Sequence, residues 1–163
     1  LWSEVMSMSP IAQPPLLAVL VTPGAPGSLA IGETQRRQPL PGEALVKVHA
    51  ISLNLGEVRR AQSESKGLNA GWDFAGTVIR GALNDKGPQA GARVVGLVDR
   101  GAWAEEVVVP SAQVAVIPDS VTFAQAATLP VAGLTALYAL EQRGGVLGRR
   151  VLVTGASGGG EPS

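Results

Sequence analysis

From position 16 to about 118 the apolar side chains come in short runs separated by glycine and proline, which is the pattern of many short strands. Leu16-Leu17-Ala18-Val19-Leu20-Val21 is one such run, closed by Pro23-Gly24. Ala44-Leu45-Val46-Lys47-Val48-His49-Ala50 alternates in character, as a strand with one covered face does. Ala92 to Val98, Ala104 to Val109 and Val114 to Ile117 are further β-branched runs. Such a series predicts a barrel or sandwich, mainly β, with helices only at its flank. Residues 1–15 carry Ser, Pro and Gln without a period and are expected to form a loose extension.

The period changes after Pro118. Thr122-Phe123-Ala124-Gln125 has the spacing of a capping box, in which the threonine accepts from the Gln125 backbone N–H while the glutamine reaches back, so a helix is expected to start there. It should break at Pro130. A second helix is expected from 131 to about 143, because Val131, Leu134, Leu137, Tyr138 and Leu140 share one face, and Gly144-Gly145 supplies its stop. On that face Tyr138 reads as a core residue rather than a proton donor. Val151-Leu152-Val153 then reads as a buried parallel strand running into the glycine-rich turn Gly155-Ala156-Ser157-Gly158-Gly159. Glycines there would let the backbone approach a pyrophosphate and present N–H groups to it.

Composition narrows the chemistry. Of 163 residues, 45% are apolar, enough for a core, and 13 basic residues balance 13 acidic ones, so no field draws in nucleic acid or an acidic membrane surface. With no cysteine and one histidine, the chain lacks nearly every nitrogen or sulfur ligand that a protein zinc site uses. No run approaches the roughly 20 apolar residues of a membrane span, and no basic residue precedes the run at Leu16, so a cytoplasmic protein is expected.

Several landmarks in order resemble the medium-chain dehydrogenase/reductase superfamily, in particular its quinone oxidoreductase, or zeta-crystallin-like, branch. They are Leu53-Asn54-Leu55-Gly56-Glu57-Val58-Arg59, Gly71-Trp72-Asp73-Phe74-Ala75-Gly76-Thr77-Val78, Gly91-Ala92-Arg93-Val94-Val95-Gly96, Gly101-Ala102-Trp103-Ala104-Glu105, and Ala126-Ala127-Thr128-Leu129-Pro130 continuing to Gly133-Leu134-Thr135-Ala136. The resemblance implies a GroES-like catalytic barrel over 16–130, followed over 131–163 by the helix, first strand and glycine turn of an incomplete Rossmann domain. It further implies NADP(H) in the cleft between the two and a homodimeric full-length protein. Zinc-dependent relatives carry Gly-His-Glu where this chain has Gly71-Trp72-Asp73, and a ligand cysteine in the segment of Asn54. A zinc-independent enzyme is therefore expected. Without a Lewis acid to polarise an alcohol, hydride delivery to an activated acceptor such as an enone or quinone is the favoured reaction.

The resemblance places Asn54 near the nicotinamide end of the cleft, where its amide could hold cofactor or substrate; equally, it could be an Asx turn closing a strand. Thr135 matches a threonine beside the cofactor, against a hydroxyl bonded back to its own helix. Gly155, Ala156, Ser157, Gly158 and Gly159 match the phosphate-binding turn. Glu57, with Arg59 and Arg60, reads as a solvated face or a cleft rim. Trp72, Phe74 and Trp103 read as packing residues and His49 as a surface histidine. No residue stands out as acid, base or nucleophile, which suits chemistry carried by a dihydronicotinamide. After Gly159 the pattern breaks off at Gly160-Glu161-Pro162-Ser163, so an N-terminal fragment, inactive alone, is expected. The alternative is a self-standing GroES-like binding or assembly module without catalysis.

Overall fold

The computed structural model describes residues 14–155, apart from Asp85 and Arg143. Most of the 1–15 extension and residues 156–159 of the glycine turn lie outside them. The described residues form seven strands: β1 (Leu16–Val21), β2 (Leu29–Thr34), β3 (Glu43–Ile51), β4 (Asp73–Arg80), β5 (Arg93–Leu97), β6 (Glu106–Pro110) and β7 (Val114–Val116). Helix α1 (Leu55–Ser63) lies between β3 and β4, and α2 (Phe123–Ala127) and α3 (Leu134–Glu141) follow the last strand.

Every strand pairing is antiparallel. β1 and β2 form a two-stranded ribbon, and the other five form a sheet in the order β6-β3-β4-β5-β7. The ribbon is tied to the sheet where β1 meets the segment before β6: Val19 N–H donates to the Trp103 carbonyl at 2.8 Å, and Glu105 N–H to the Leu17 carbonyl at 3.0 Å. The result is a half-closed barrel, mainly β, as the runs of apolar residues predict.

β4 is the central strand, and its two faces serve two cores. Phe74 and Val78 point into the main core with Val46, Val94, Val109 and Trp103, while Ala75 points to the other face, under Ile117, Ala126 and Ala127. Two glycines are fixed by close approach. A Cβ on Gly76 would collide with the Lys47 carbonyl, and one on Gly71, which has φ of +101°, would collide with the Trp103 ring. Phe74 and Trp103 are thus core packing residues, as expected.

The capping box at α2 forms as read: Gln125 N–H donates to Thr122 Oγ1 at 3.2 Å and Thr122 N–H to Gln125 Oε1 at 3.0 Å. Phe123 holds α2 to the sheet between the His49 ring and the Arg93 guanidinium, each 4.7 Å away. His49 is exposed, as expected.

Four expectations need correction. β2, β4 and α1 were not foreseen as elements. The helix expected from 131 instead begins as a wide π turn over Leu129–Gly133, where Gly133 N–H reaches back to the Thr128 carbonyl, and becomes α-helical only at Leu134. Proline at position 130 has no N–H to give an α-helical ladder, and the wider turn absorbs the defect without ending the helix. Tyr138 is 58% exposed and is not a core residue. Val151-Leu152-Val153 forms no strand, and Leu152 is 89% exposed. A parallel strand exists only by its neighbours' hydrogen bonds, and no described strand pairs with this segment.

Candidate active site

Asn54 is the N-cap of α1, with extended backbone angles of −113° and 140°. Three residues on, Glu57 turns its carboxylate back, and Oε2 accepts the Asn54 backbone N–H at 2.7 Å, the reciprocal half of a capping box. Glu57 Oε1 accepts the Trp72 backbone N–H at 2.6 Å. Asn54 then uses its side-chain amide: Nδ2 donates to Glu57 Oε2 at 3.2 Å and to Asp73 Oδ2 at 3.0 Å. One asparagine thus ties the first turn of α1 to the first residue of β4.

Both carboxylates are buried, Glu57 at 3% and Asp73 at 0% exposure. The reading of Glu57 as a solvated face or cleft rim is therefore corrected. A charged residue on a short polar helix reads as exposed, but the cap geometry pulls this one inward. Burial pushes the Glu57 carboxyl above its ordinary range, opposed by the N–H groups of Asn54 and Trp72, with the nearby Asp73 charge pushing the same way as burial. Burial likewise raises Asp73, opposed by the Asn54 amide and the Val131 backbone N–H. No hydrogen-bond partner meets Asp73 Oδ1, although the atom is buried.

Trp72 joins this network to a cavity of about 510 Å³. Its backbone N–H belongs to the Glu57 cap, while its half-buried ring lines the cavity with Leu97, Val98 and Val131. Trp72 is thus a wall residue rather than purely a packing one. The polar lining is Arg60, Asp99 and Gln113. Arg60 is already paired, bonding Glu64 at 2.7 Å and Asp99 at 3.1 Å. A second, more apolar hollow of about 370 Å³ shares Leu97 and Gln113 and runs under Leu129, Pro130 and Leu134. Together they form a mostly apolar cleft whose Arg60 is paired at the rim with Glu64 and Asp99.

The other predicted site residues stand apart from this network. Thr135 is exposed on α3, one turn beyond Val131. Gly155 is exposed with φ of +71°, and open space surrounds its Cβ direction. Ala156, Ser157, Gly158 and Gly159 lie outside the described residues. Asp73 was missed as a site residue because it stood inside a landmark motif as one letter among eight. Glu57 had a usable signal, since Asn54-x-x-Glu57 is itself a capping-box spacing. Among the described residues, no group of three His, Asp or Glu side chains is placed to hold a metal ion.

Residues 40–119 match the alcohol dehydrogenase GroES-like domain family. Solved structures agree. The human synaptic vesicle membrane protein VAT-1 homolog-like protein superposes with a TM-score of 0.73 at 28% identity, over 78% of this chain and 43% of that one. The quinone oxidoreductase of Coxiella burnetii gives 0.70 at 29% identity, over 79% and 45%. A mycobacterial protein solved in complex with NADPH gives 0.70 at 31% identity, over 79% and 42%. No curated protein sequence matches the chain. Residues 40–119 are thus similar to a GroES-like domain of the alcohol dehydrogenase type, and the fold is similar to that of solved quinone oxidoreductases and related proteins. It spans less than half the length of these structural relatives.

Proposed function

We propose that this chain is the substrate-side part of a zinc-independent, NADP(H)-dependent oxidoreductase that reduces a conjugated carbonyl, a quinone or an enone. The observation that carries the reading is the neutral, Trp72-walled cleft built against the Asn54 network. A nicotinamide cofactor, when bound, would supply the hydride. The residues of this chain would bind and orient. The Trp72 ring and the Leu97 and Val98 side chains offer an apolar wall for a planar acceptor, and Asn54, bonded to the Glu57 carboxylate that also accepts the Trp72 N–H, is the polar group assigned to the cofactor side. With Arg60 paired to Asp99 and Glu64, the rim favours an uncharged acceptor over an anionic one. Likeness to a quinone oxidoreductase and to an NADPH-bound structure supports this choice of acceptor and cofactor.

The fit to a nicotinamide rests on the apolar cleft walled by Trp72; of the glycine turn, only Gly155 is among the described residues. The test is NADPH-dependent reduction of 1,4-benzoquinone, measured on a protein in which this chain is followed by a dinucleotide-binding domain and on this chain alone. Saturable turnover is expected from the longer protein and none from the shorter. Trp72→Ala in the longer protein should raise KM for the quinone about tenfold, the loss of a good aromatic contact. Equal turnover by the shorter chain, or an indifferent Trp72→Ala, would sink the assignment.

A further inference from the structure

The polar atoms of Asn54 are not equally available. An asparagine amide has two N–H donors and one carbonyl oxygen. Here Nδ2 faces two separate carboxylates, Glu57 Oε2 at 3.2 Å and Asp73 Oδ2 at 3.0 Å, as many acceptors as it has protons. The reversed rotamer would set the carbonyl oxygen against those same two carboxylates, acceptor against acceptor. Three N–H groups converge on Glu57, two from Asn54 and one from Trp72, so its oxygens act there as acceptors. Both carboxylates are buried, so water cannot replace the Asn54 donors if they turn away.

We propose that Glu57 and Asp73 are positioning residues that hold the Asn54 amide nitrogen inward, so that Asn54 meets a ligand only as a hydrogen-bond acceptor. The ligand group it recognises is then a donor, a carboxamide NH₂ or a hydroxyl. The carbonyl undergoing reduction is excluded as its partner, because that oxygen needs a donor and Asn54 has none free. The acceptor role rests on the reading of Asn54 as a ligand contact; the orientation does not.

The experiment is side-chain amide hydrogen exchange by NMR on the ligand-free chain, with the Asn54 signals assigned by their loss in Asn54→Ala. Both Asn54 Nδ2 protons are expected to exchange at least about tenfold more slowly than those of exposed Asn84. Asp73→Leu should abolish the protection of one proton. Asp73→Asn, which still offers an oxygen, should retain it. An Asn54 amide that exchanges like Asn84 in a folded chain overturns the inference, and so does protection unchanged by Asp73→Leu. NADPH titration of the longer protein separates the two claims. Asn54→Ala without effect on NADPH affinity, with the amide still protected, overturns the ligand-contact reading and leaves the orientation standing.

Discussion

The centre of the sheet and the stretch after Leu129 are written in the same apolar alphabet, yet only one of them is buried. Val46, Phe74, Val94 and Val109 are sealed at 0% exposure, whereas Leu134, Leu137 and Leu140 on α3, and Val151 to Val153 beyond it, stand open to solvent. Propensity does not separate them, since both are rich in residues that favour their own secondary structure. The difference lies in partners. β4 has a neighbour on each edge and a layer on each face, while the described residues place little over α3 or Val151 to Val153. An apolar face stabilises a fold only when something removes it from water.

That contrast is open to attack at both ends. The largest effect is expected at Phe74. Truncation to alanine leaves a cavity in the main core and should cost about 3 to 5 kcal/mol in unfolding free energy by chemical denaturation. A cost under about 1 kcal/mol would mean that β4 is not the centre of the fold. Next is Gly76→Ala, where the new methyl group meets the Lys47 carbonyl across the β3 and β4 ladder. A loss of about 1 to 3 kcal/mol is expected, with weakened amide protection in both strands.

A gentler lever is pH. Glu57 and Asp73 have raised values in the folded chain, so between their ordinary and raised values the folded state holds protons that the unfolded chain has released. Stability therefore falls as pH rises through that window and is regained on moderate acidification. Glu43 works in the opposite sense. Its hydrogen bond to Arg37 lowers its value, and the stability this brings is lost as pH falls through the lowered value, below the ordinary carboxylate range. Thermal unfolding across pH should thus show a maximum at mildly acidic pH, and Asp73→Asn should flatten its alkaline flank. A flank identical in the variant would show that Asp73 does not titrate with folding.

The smallest effect belongs to the open region. Leu137→Ser on α3 should change unfolding free energy by no more than about 0.5 kcal/mol, because a half-exposed side chain has little burial to lose. It should nevertheless reduce binding of an apolar dye and self-association, seen by light scattering. A core-sized loss of stability would show that α3 is covered.

Much of this was legible along the chain. β1, β3, β5, β6 and β7 follow from β-branched runs bounded by glycine and proline, and the start of α2 follows from the Thr122 and Gln125 pair. β4 was harder to read as a strand, because Asp73, Ala75 and Gly76 are poor strand formers by composition. Its glycine is there because the neighbouring backbone passes too close for a side chain, a fact about β3 rather than about β4. At the candidate site, Asn54 was legible through its motif, while its partners were not. Glu57 is near in sequence but was hidden by its charge, and Asp73 lies 19 positions away.

The sequence by itself determined many of the local choices: five of the seven described strands, the cap at the start of α2, the scarcity of residues for a protein zinc site, and the superfamily that the landmarks resemble. These depend on neighbours a few residues apart. Tertiary structure alone decided what is buried and which way the polar groups face. It turned Glu57 and Asp73 inward onto one amide, made Trp72 a wall, and left Tyr138 and Leu152 in water. Burial is a property of distant chain segments meeting, and no local pattern contains the partner that a face will find.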